Sequence, residues 1–108
     1  MTDFCKLEIF IPPSHLAILQ ETLRELDAGH IGNYDSCLSY SQVFSTWRPL
    51  NGTHPFIGEV GKVCEQQELK VEVTCRISQV EGVIQAVKLI HPYEEPVINA
   101  IPILRTGL

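Results

Sequence analysis

The sequence predicts one α+β domain over residues 1–108, with strands and helices in the order βαββαβ. Two stretches, 4–11 and 69–77, alternate apolar and polar residues at period two, which is typical of strands with one buried face. Each is followed by apolar residues at three- and four-residue spacing, which predicts a helix. Two strand–helix–strand units of this kind form one four-stranded antiparallel sheet with both helices on one face, the ferredoxin-like arrangement.

The first unit begins with a strand whose buried face carries Cys5, Leu7, Ile9 and Ile11. Two prolines end this strand, and Ser14 begins a helix whose apolar stripe consists of Leu16, Leu19, Leu23 and Leu26. Gly29 is a favourable helix end. A weaker strand is predicted at 34–44.

The second unit begins after a stretch rich in turn residues, 45–67, which predicts a long loop or a distorted hairpin. The strand at 69–77 is the clearest in the sequence. Residues 78–81, Ser-Gln-Val-Glu, match a capping box, and Pro92 ends the helix that follows. A last strand is predicted at 97–104, where Pro102 indicates a sheet edge or a strand end.

The face of the sheet opposite the helices is predicted to hold Phe4, Phe10, Thr74 and half of the last strand. The sequence offers no third layer to cover this face. An uncovered apolar face predicts association between copies of the chain.

The net charge and the spacing of the cysteines disfavour some classes of function for this sequence. Eight basic residues against thirteen acidic ones give a formal charge of −5, which disfavours nucleic-acid binding. The four cysteines form no Cys-x-x-Cys pair, and no apolar stretch is long enough to cross a membrane, so we expect reduced thiols and a cytoplasmic location. Cys5 and Cys75 are expected in the core, and Cys64 is the cysteine expected to be most exposed.

Three segments could carry chemistry. Residues 29–35 hold His30, Asn33 and Tyr34 beside two glycines, although a helix end followed by a strand entry, with Asn and Asp making turn bonds, is the more common explanation of such a segment. Residues 52–62 partly match a phosphate-binding loop, but the positions of Phe56 and Val63 break the pattern, which leaves a structured turn. Nucleophilic catalysis has no supporting motif.

The third segment is 91–96, His-Pro-Tyr-Glu-Glu-Pro. Imidazole and carboxylate groups can bind a divalent metal or exchange protons. A helix C-terminus also favours a histidine by itself, because its partial negative charge stabilises the protonated ring of His91. Glu94 and Glu95 point to opposite sides of an extended chain, so the two carboxylates do not easily share one ion.

These segments resemble, in the same order, the insert domain of the Nif-three-like proteins, a dinuclear-metal family often labelled GTP cyclohydrolase type 2-like. The resemblance is carried by Gly29-His30-Ile31-Gly32-Asn33-Tyr34-Asp35-Ser36-Cys37, Pro55-Phe56-Ile57-Gly58 and His91-Pro92-Tyr93-Glu94-Glu95-Pro96. That insert domain is similar to CutA and to the PII signalling proteins, which implies a homo-oligomer, most simply a trimer. The metal-ligand motifs of the family's two flanking halves do not occur in this sequence.

The leading hypothesis is a non-enzymatic PII/CutA-like binding or regulatory module, with a small ligand or a divalent metal in clefts between subunits. The candidate ligand-binding residues are His30, Asn33, Tyr34, Tyr93 and Glu95, and the candidate metal ligands are His91 and Glu94. We expect the segment 45–67 to be the most mobile part and to make functional contacts. The alternatives are a small metal-dependent hydrolase acting on a nucleotide-like substrate and a docking domain without a small ligand.

Overall fold

The computed structural model describes residues 3–108 and has the predicted order of strands and helices. The strands are β1 (Phe4–Ile11), β2 (Ser39–Trp47), β3 (Cys64–Arg76) and β4 (Ile98–Pro102), and the helices are α1 (Leu16–Glu25) and α2 (Val80–Ile90). The four strands form one antiparallel sheet in the order β2-β3-β1-β4. The predicted α+β ferredoxin-like fold is therefore confirmed, with β4 at an edge as Pro102 indicated.

The core lies between the helices and one face of the two central strands. Leu7 faces Val73 and Ile9 faces Val71 across β1 and β3, and all four side chains are almost completely buried. The helices cover them with Leu19, Leu23, Val83 and Val87. Burying one such side chain contributes about 1.5–3 kcal/mol, so this layer is the main source of stability.

The second and third strands extend further than the sequence indicated. β2 covers Ser39–Trp47 instead of 34–44, and β3 begins at Cys64 instead of 69, so the connecting loop is 48–63. The residues at 65–68 are all polar, Glu-Gln-Gln-Glu, and therefore show no alternation. They form a strand because their backbone pairs with β2, from Ser45 with Gln66 to Trp47 with Cys64.

The second helix ends as predicted but begins differently. Its predicted capping box at 78–81 is replaced by a bond in which the Arg76 amide donates to Gln79 Oε1 at 3.0 Å. The Gln79 amide group also donates to Leu26 O at 3.1 Å, which connects the start of α2 to the end of α1. The helix ends at Ile90, directly before the extended residue His91 and Pro92.

The face opposite the helices is charged at its centre, where the sequence pattern indicated an apolar surface. Lys6 donates to Glu72 at 2.8 Å, and Glu8 lies 3.6 Å from Lys6 and 3.3 Å from Lys70. The bond between Lys6 and Glu72 raises the pKa of the lysine and lowers the pKa of the glutamate. Phe4 and Phe10 lie at opposite ends of β1 on this face, with Phe4 beneath the Arg76 guanidinium.

The four cysteines are free, and Cys5 and Cys75 are buried in the core. Their sulfur atoms lie 3.6 Å apart across β1 and β3, and burial followed by the contact with Cys5 raises the pKa of Cys75 to about 12. Cys64 is half-buried. Over residues 3–108, neither helix is long and apolar enough to cross a membrane.

Candidate functional site

The two histidine-bearing segments lie at opposite ends of the sheet. The amide of Gly29 donates to Thr74 O at 3.0 Å, which places the 29–37 loop near the end where Phe4 pairs with Arg76. His91 contacts Phe10 at the other end of β1. Phe4 and Phe10 are about 20 Å apart along an extended strand. One chain therefore does not bring the two segments into a single site.

The 29–37 loop is a compact turn with its own hydrogen bonds. Gly29 has φ +79°, and a Cβ atom there would overlap Cys37 O, while the Cys37 amide donates to Gly29 O at 3.0 Å. Ile31 and Tyr34 exchange two backbone bonds of 2.8 and 2.9 Å. Only glycine fits the position at which the chain returns to the sheet.

His30 is held by groups of its own turn. Its Nδ1 lies 2.6 Å from Asp27 Oδ1, and its Nε2 donates to Gly32 O at 2.8 Å. Two acceptors facing the two ring nitrogens favour the protonated ring, so the bond to Asp27, the bond to Gly32 and the Asp27 charge raise the pKa of His30. Asn33 and Tyr34 project into solvent beside it, Tyr34 with 74% of its surface exposed.

His91 has the opposite environment. The side chain is buried, its Nε2 donates to Phe10 O at 2.7 Å, and its Nδ1 accepts from the Tyr93 amide at 3.2 Å. These partners fix the neutral tautomer with its proton on Nε2. Burial is the largest effect and lowers the pKa of His91, although the helix end predicted a protonated ring. A neutral ring with both nitrogens engaged differs from the protonated ring that the helix end favoured, because the side chain is buried and not exposed at the helix end.

The loop 48–63, the end of β2 and the segment 91–97 line an open cleft of about 760 Å³, which we call the β2–β3 cleft. The end of β2 is fixed to the loop, because Trp47 Nε1 donates to Ile57 O at 3.1 Å. The loop is fixed to the segment, because the His54 amide donates to Glu94 Oε1 at 2.6 Å. Gly58, at φ +114°, lets the loop pass close to Cys64 Sγ.

Aromatic rings form much of the cleft wall. The ring of Tyr93 lies 5.6 Å from the Trp47 ring and 6.2 Å from the Phe56 ring, both at tilted angles. The Tyr93 ring also lies 4.9 Å from the buried His91 ring. These distances are those of favourable aromatic pairs, so the three rings support one another and the cleft has a defined shape.

A buried carboxylate lies in the same cleft. Glu68 is only 3% exposed, although it is on the face of β3 that points away from the helices. The Tyr93 hydroxyl is also buried and has no partner in hydrogen-bond geometry among the described residues. Its own burial and the nearby Glu68 carboxylate raise the pKa of Tyr93, so its hydroxyl is neutral.

The predicted site residues separate into three groups. Tyr93, Glu94 and Glu95 line the β2–β3 cleft, and His91 contacts the Tyr93 ring without lining the cleft. His30 lines a second cavity of about 360 Å³ at the opposite end of the sheet. Asn33 and Tyr34 are among the lining residues of neither cavity.

Trp47 and Phe56 lie in the segment 45–67, which the sequence predicted to make functional contacts, although neither was named as a site residue. Glu68 is the cleft residue that the sequence did not indicate. Glu68 gives no signal, because nothing in a run of polar residues shows that a loop will cover one of them.

A metal at His91 and Glu94 has little support from the geometry of one chain. Both ring nitrogens of His91 have hydrogen-bond partners, and Glu94 Oε1 already accepts from the His54 amide. Across residues 3–108, no group of three or more His, Cys, Asp or Glu side chains is placed to hold an ion. Metal binding by these residues stays a prediction.

Comparison with known proteins identifies the fold class. The family model described as "CutA1 divalent ion tolerance protein" matches residues 59–107. The solved structure of the periplasmic divalent cation tolerance protein CutA from Archaeoglobus fulgidus aligns with a TM-score of 0.73 and 23% identity, over 95% of this chain and 86% of that one. The chain therefore has the CutA-like fold.

Sequence similarity is greater to a second group of proteins. A GTP cyclohydrolase 1 type 2 homolog from Halalkalibacterium halodurans is 39% identical and one from Bacillus subtilis 35% identical, each over 94% of this chain and 27% of the relative. A Bacillus cereus protein related to NIF3 aligns with a TM-score of 0.83 and 29% identity, over 96% of this chain and 26% of that one.

The chain thus spans about a quarter of the length of these relatives. It is a CutA-like unit that is similar in sequence to one segment of the NIF3-related proteins. The predicted resemblance to that segment is confirmed.

Proposed function

We propose that this chain is a ligand-binding or regulatory module of the CutA/PII type and that the β2–β3 cleft is its binding site. The cleft itself is the observation that carries the proposal. Its volume of about 760 Å³ is within the range of small-molecule sites, roughly 300–1,000 Å³. Aromatic rings with a few polar groups among them are the usual lining of such sites. Tyr93, Glu94 and Glu95 are the residues of this cleft that the sequence also proposed.

The working form in this proposal is a homotrimer in the cytoplasm. Within residues 3–108, β2 and β4 are the edges of the sheet, and β2 exposes 53% of Tyr40 and 74% of Phe44. Exposed aromatic groups on an unpaired edge favour association between copies. Four free cysteines agree with a reducing compartment.

Association between copies would also give the 29–37 segment a role in binding. His30, Asn33 and Tyr34 are too far from the cleft of their own chain, but a neighbouring copy could place them beside it. A divalent metal, if one binds, would likewise need ligands from more than one copy, since the His91 ring has both nitrogens engaged.

The test combines native mass spectrometry with thermal-shift screening of small ligands and divalent metals, on protein as purified and after chelator treatment. We expect a trimer mass and at least one ligand whose shift is lost in Trp47→Leu. The matched control is Leu89→Ala, which changes an exposed residue of α2 outside the cleft and should keep the shift. A monomer at micromolar concentration would overturn the trimer, and ligand shifts unaffected by Trp47→Leu would overturn the cleft.

The hydrolase alternative draws on the name of the curated relatives, GTP cyclohydrolase 1 type 2 homolog. It predicts that GTP is consumed when a divalent metal is present. Incubation of the purified chain with GTP and Mn²⁺ or Zn²⁺, followed by chromatography of the nucleotides, separates this alternative from binding alone.

A further inference from the structure

The β2–β3 cleft has a strong excess of negative groups. Among the described residues that line it, three carry carboxylates, namely Glu68, Glu94 and Glu95, and one carries a guanidinium, Arg48. Arg48 is exposed, whereas Glu68 is almost fully buried. A buried carboxylate attracts a cation more strongly than an exposed one, because less water screens it.

The aromatic wall adds to this preference. The faces of Trp47, Tyr93 and Phe56 carry the negative part of the ring quadrupole, which attracts an ammonium or guanidinium group within about 6 Å of the ring centre. The three rings lie 5.6 and 6.2 Å apart around Tyr93, so one cationic group can contact more than one of them. The Tyr93 hydroxyl is buried beside the Glu68 carboxylate and is neutral, so its oxygen can accept a hydrogen bond from such a group.

An anionic ligand lacks matching groups here. The lysines on this face of the sheet, Lys6 and Lys70, are engaged with Glu72 and Glu8 and are not among the residues that line the cleft. A phosphate would therefore meet one exposed arginine against three carboxylates. A wholly neutral apolar ligand would leave the buried Glu68 carboxylate without a counter-charge.

We propose that the β2–β3 cleft binds a small organic cation, whose charged nitrogen lies between the aromatic rings and the Glu68 carboxylate. This inference rests on the proposed function, because it names the ligand class of the same cleft. Aromatic contact selects an organic ammonium or guanidinium group over a small, strongly hydrated metal ion.

The first measurement compares ligands of one shape and different charge on the wild-type chain. Isothermal titration with choline is set against its neutral isostere 3,3-dimethylbutan-1-ol, and agmatine and benzyltrimethylammonium extend the cation set. GTP and inorganic phosphate serve as anions. We expect at least one cation to bind, and choline to bind at least about tenfold more tightly than its neutral isostere.

The second measurement removes the buried charge. Glu68→Gln keeps the size of the side chain and should weaken binding of the best cation by about tenfold or more. Glu65→Gln is the matched control, because it makes the same change on an exposed residue of the same strand outside the cleft. We expect the control to change cation affinity less than twofold. If Glu68→Gln does not fold, the comparison of choline with its isostere on the wild-type chain still tests whether the cleft prefers a cation.

The possible results distinguish failure of the cation inference from failure of the proposal that the β2–β3 cleft is a binding site. Equal binding of choline and its isostere, or no binding of any of the three cations, overturns the cation inference. Binding of GTP or phosphate that is lost in Trp47→Leu, without cation binding, overturns the inference but keeps the cleft as a site. Cation binding that survives Trp47→Leu and Glu68→Gln overturns both, because the cation then binds elsewhere.

Discussion

The segments 29–37 and 91–97 each carry a histidine at one end of the sheet, and the two histidines are used in opposite ways. His30 is exposed, and its ring contacts acceptors of its own turn, Asp27 and Gly32. His91 is buried, donates to a carbonyl of the central strand β1, and supports the Tyr93 ring at the edge of a cleft. One segment stabilises itself, whereas the other connects the sheet to a cavity. Similar residue types therefore do not by themselves distinguish a closed turn from a candidate site.

Replacing each histidine by alanine should give the largest difference in stability loss between the two segments. His91→Ala removes the donor to Phe10 O and leaves a cavity behind Tyr93, so we expect a loss of about 2–4 kcal/mol in the free energy of unfolding. His30→Ala should cost clearly less, because water replaces the lost bonds of an exposed ring. Urea unfolding at pH 7 measures both, with His54→Ala as an exposed control. Equal losses for His30→Ala and His91→Ala would contradict the comparison.

Substitutions at two glycines of the 29–37 loop measure how rigid the loop is. Gly29 and Gly32 both have positive φ, +79° and +58°, but only at Gly29 would an added Cβ overlap a neighbouring atom, Cys37 O. We expect Gly32→Ala to cost about 1 kcal/mol and Gly29→Ala about 2–3 kcal/mol or more. Thermal unfolding of the two variants measures the difference. Equal costs would mean that the loop shifts to accept the methyl group, and so is less rigid than its hydrogen bonds indicate.

The pH dependence of stability should have opposite signs for the two histidines. Burial lowers the pKa of His91 in the folded chain, so its stabilising contribution is complete above 6.5, the ordinary value, and is lost as the pH falls below it. The bond to Asp27 raises the pKa of His30, so its contribution is complete below 6.5 and is lost as the pH rises through the raised value. Glu68 opposes the shift of His91, and His15 adds to it.

Urea midpoints between pH 5 and 9 check these signs as differences from the wild type. Relative to the wild type, His91→Gln should lose least stability at the acid end, and His30→Gln should lose least at the alkaline end. The His30 effect should shrink in 0.5 M salt, since that pair is exposed to solvent. Parallel curves for the two variants would show that the two rings do not differ in protonation as described.

The sequence predicts the fold better than the site, for a physical reason. Alternation along β1 and β3 and the leucine spacing of α1 are local patterns, and burial on one face imposes them directly. The candidate cleft depends on contacts between distant parts of the chain, such as His54 with Glu94 and Trp47 with Tyr93. The sequence indicates Tyr93, Glu94 and Glu95 as candidates because two prolines and clustered polar groups are unusual locally, and the structure places all three in the cleft. Glu68 was missed because its burial is created by a loop.

The smallest expected effect concerns the Tyr93 hydroxyl. A buried hydroxyl without a partner loses its hydration and gains no bond in return, so Tyr93→Phe should change the free energy of unfolding by less than about 1 kcal/mol, toward greater stability. The ring contacts with Trp47 and Phe56 are kept in this variant. Tyr93→Leu is the matched comparison, because it removes the ring as well and should cost about 2–3 kcal/mol.

Chemical denaturation of Tyr93→Phe and Tyr93→Leu measures the contributions of the hydroxyl and of the ring separately. A clear loss of stability in Tyr93→Phe would mean that the hydroxyl does have a partner in solution, and Glu68 is the first group to examine for that role, by combining Tyr93→Phe with Glu68→Gln in a double-mutant cycle.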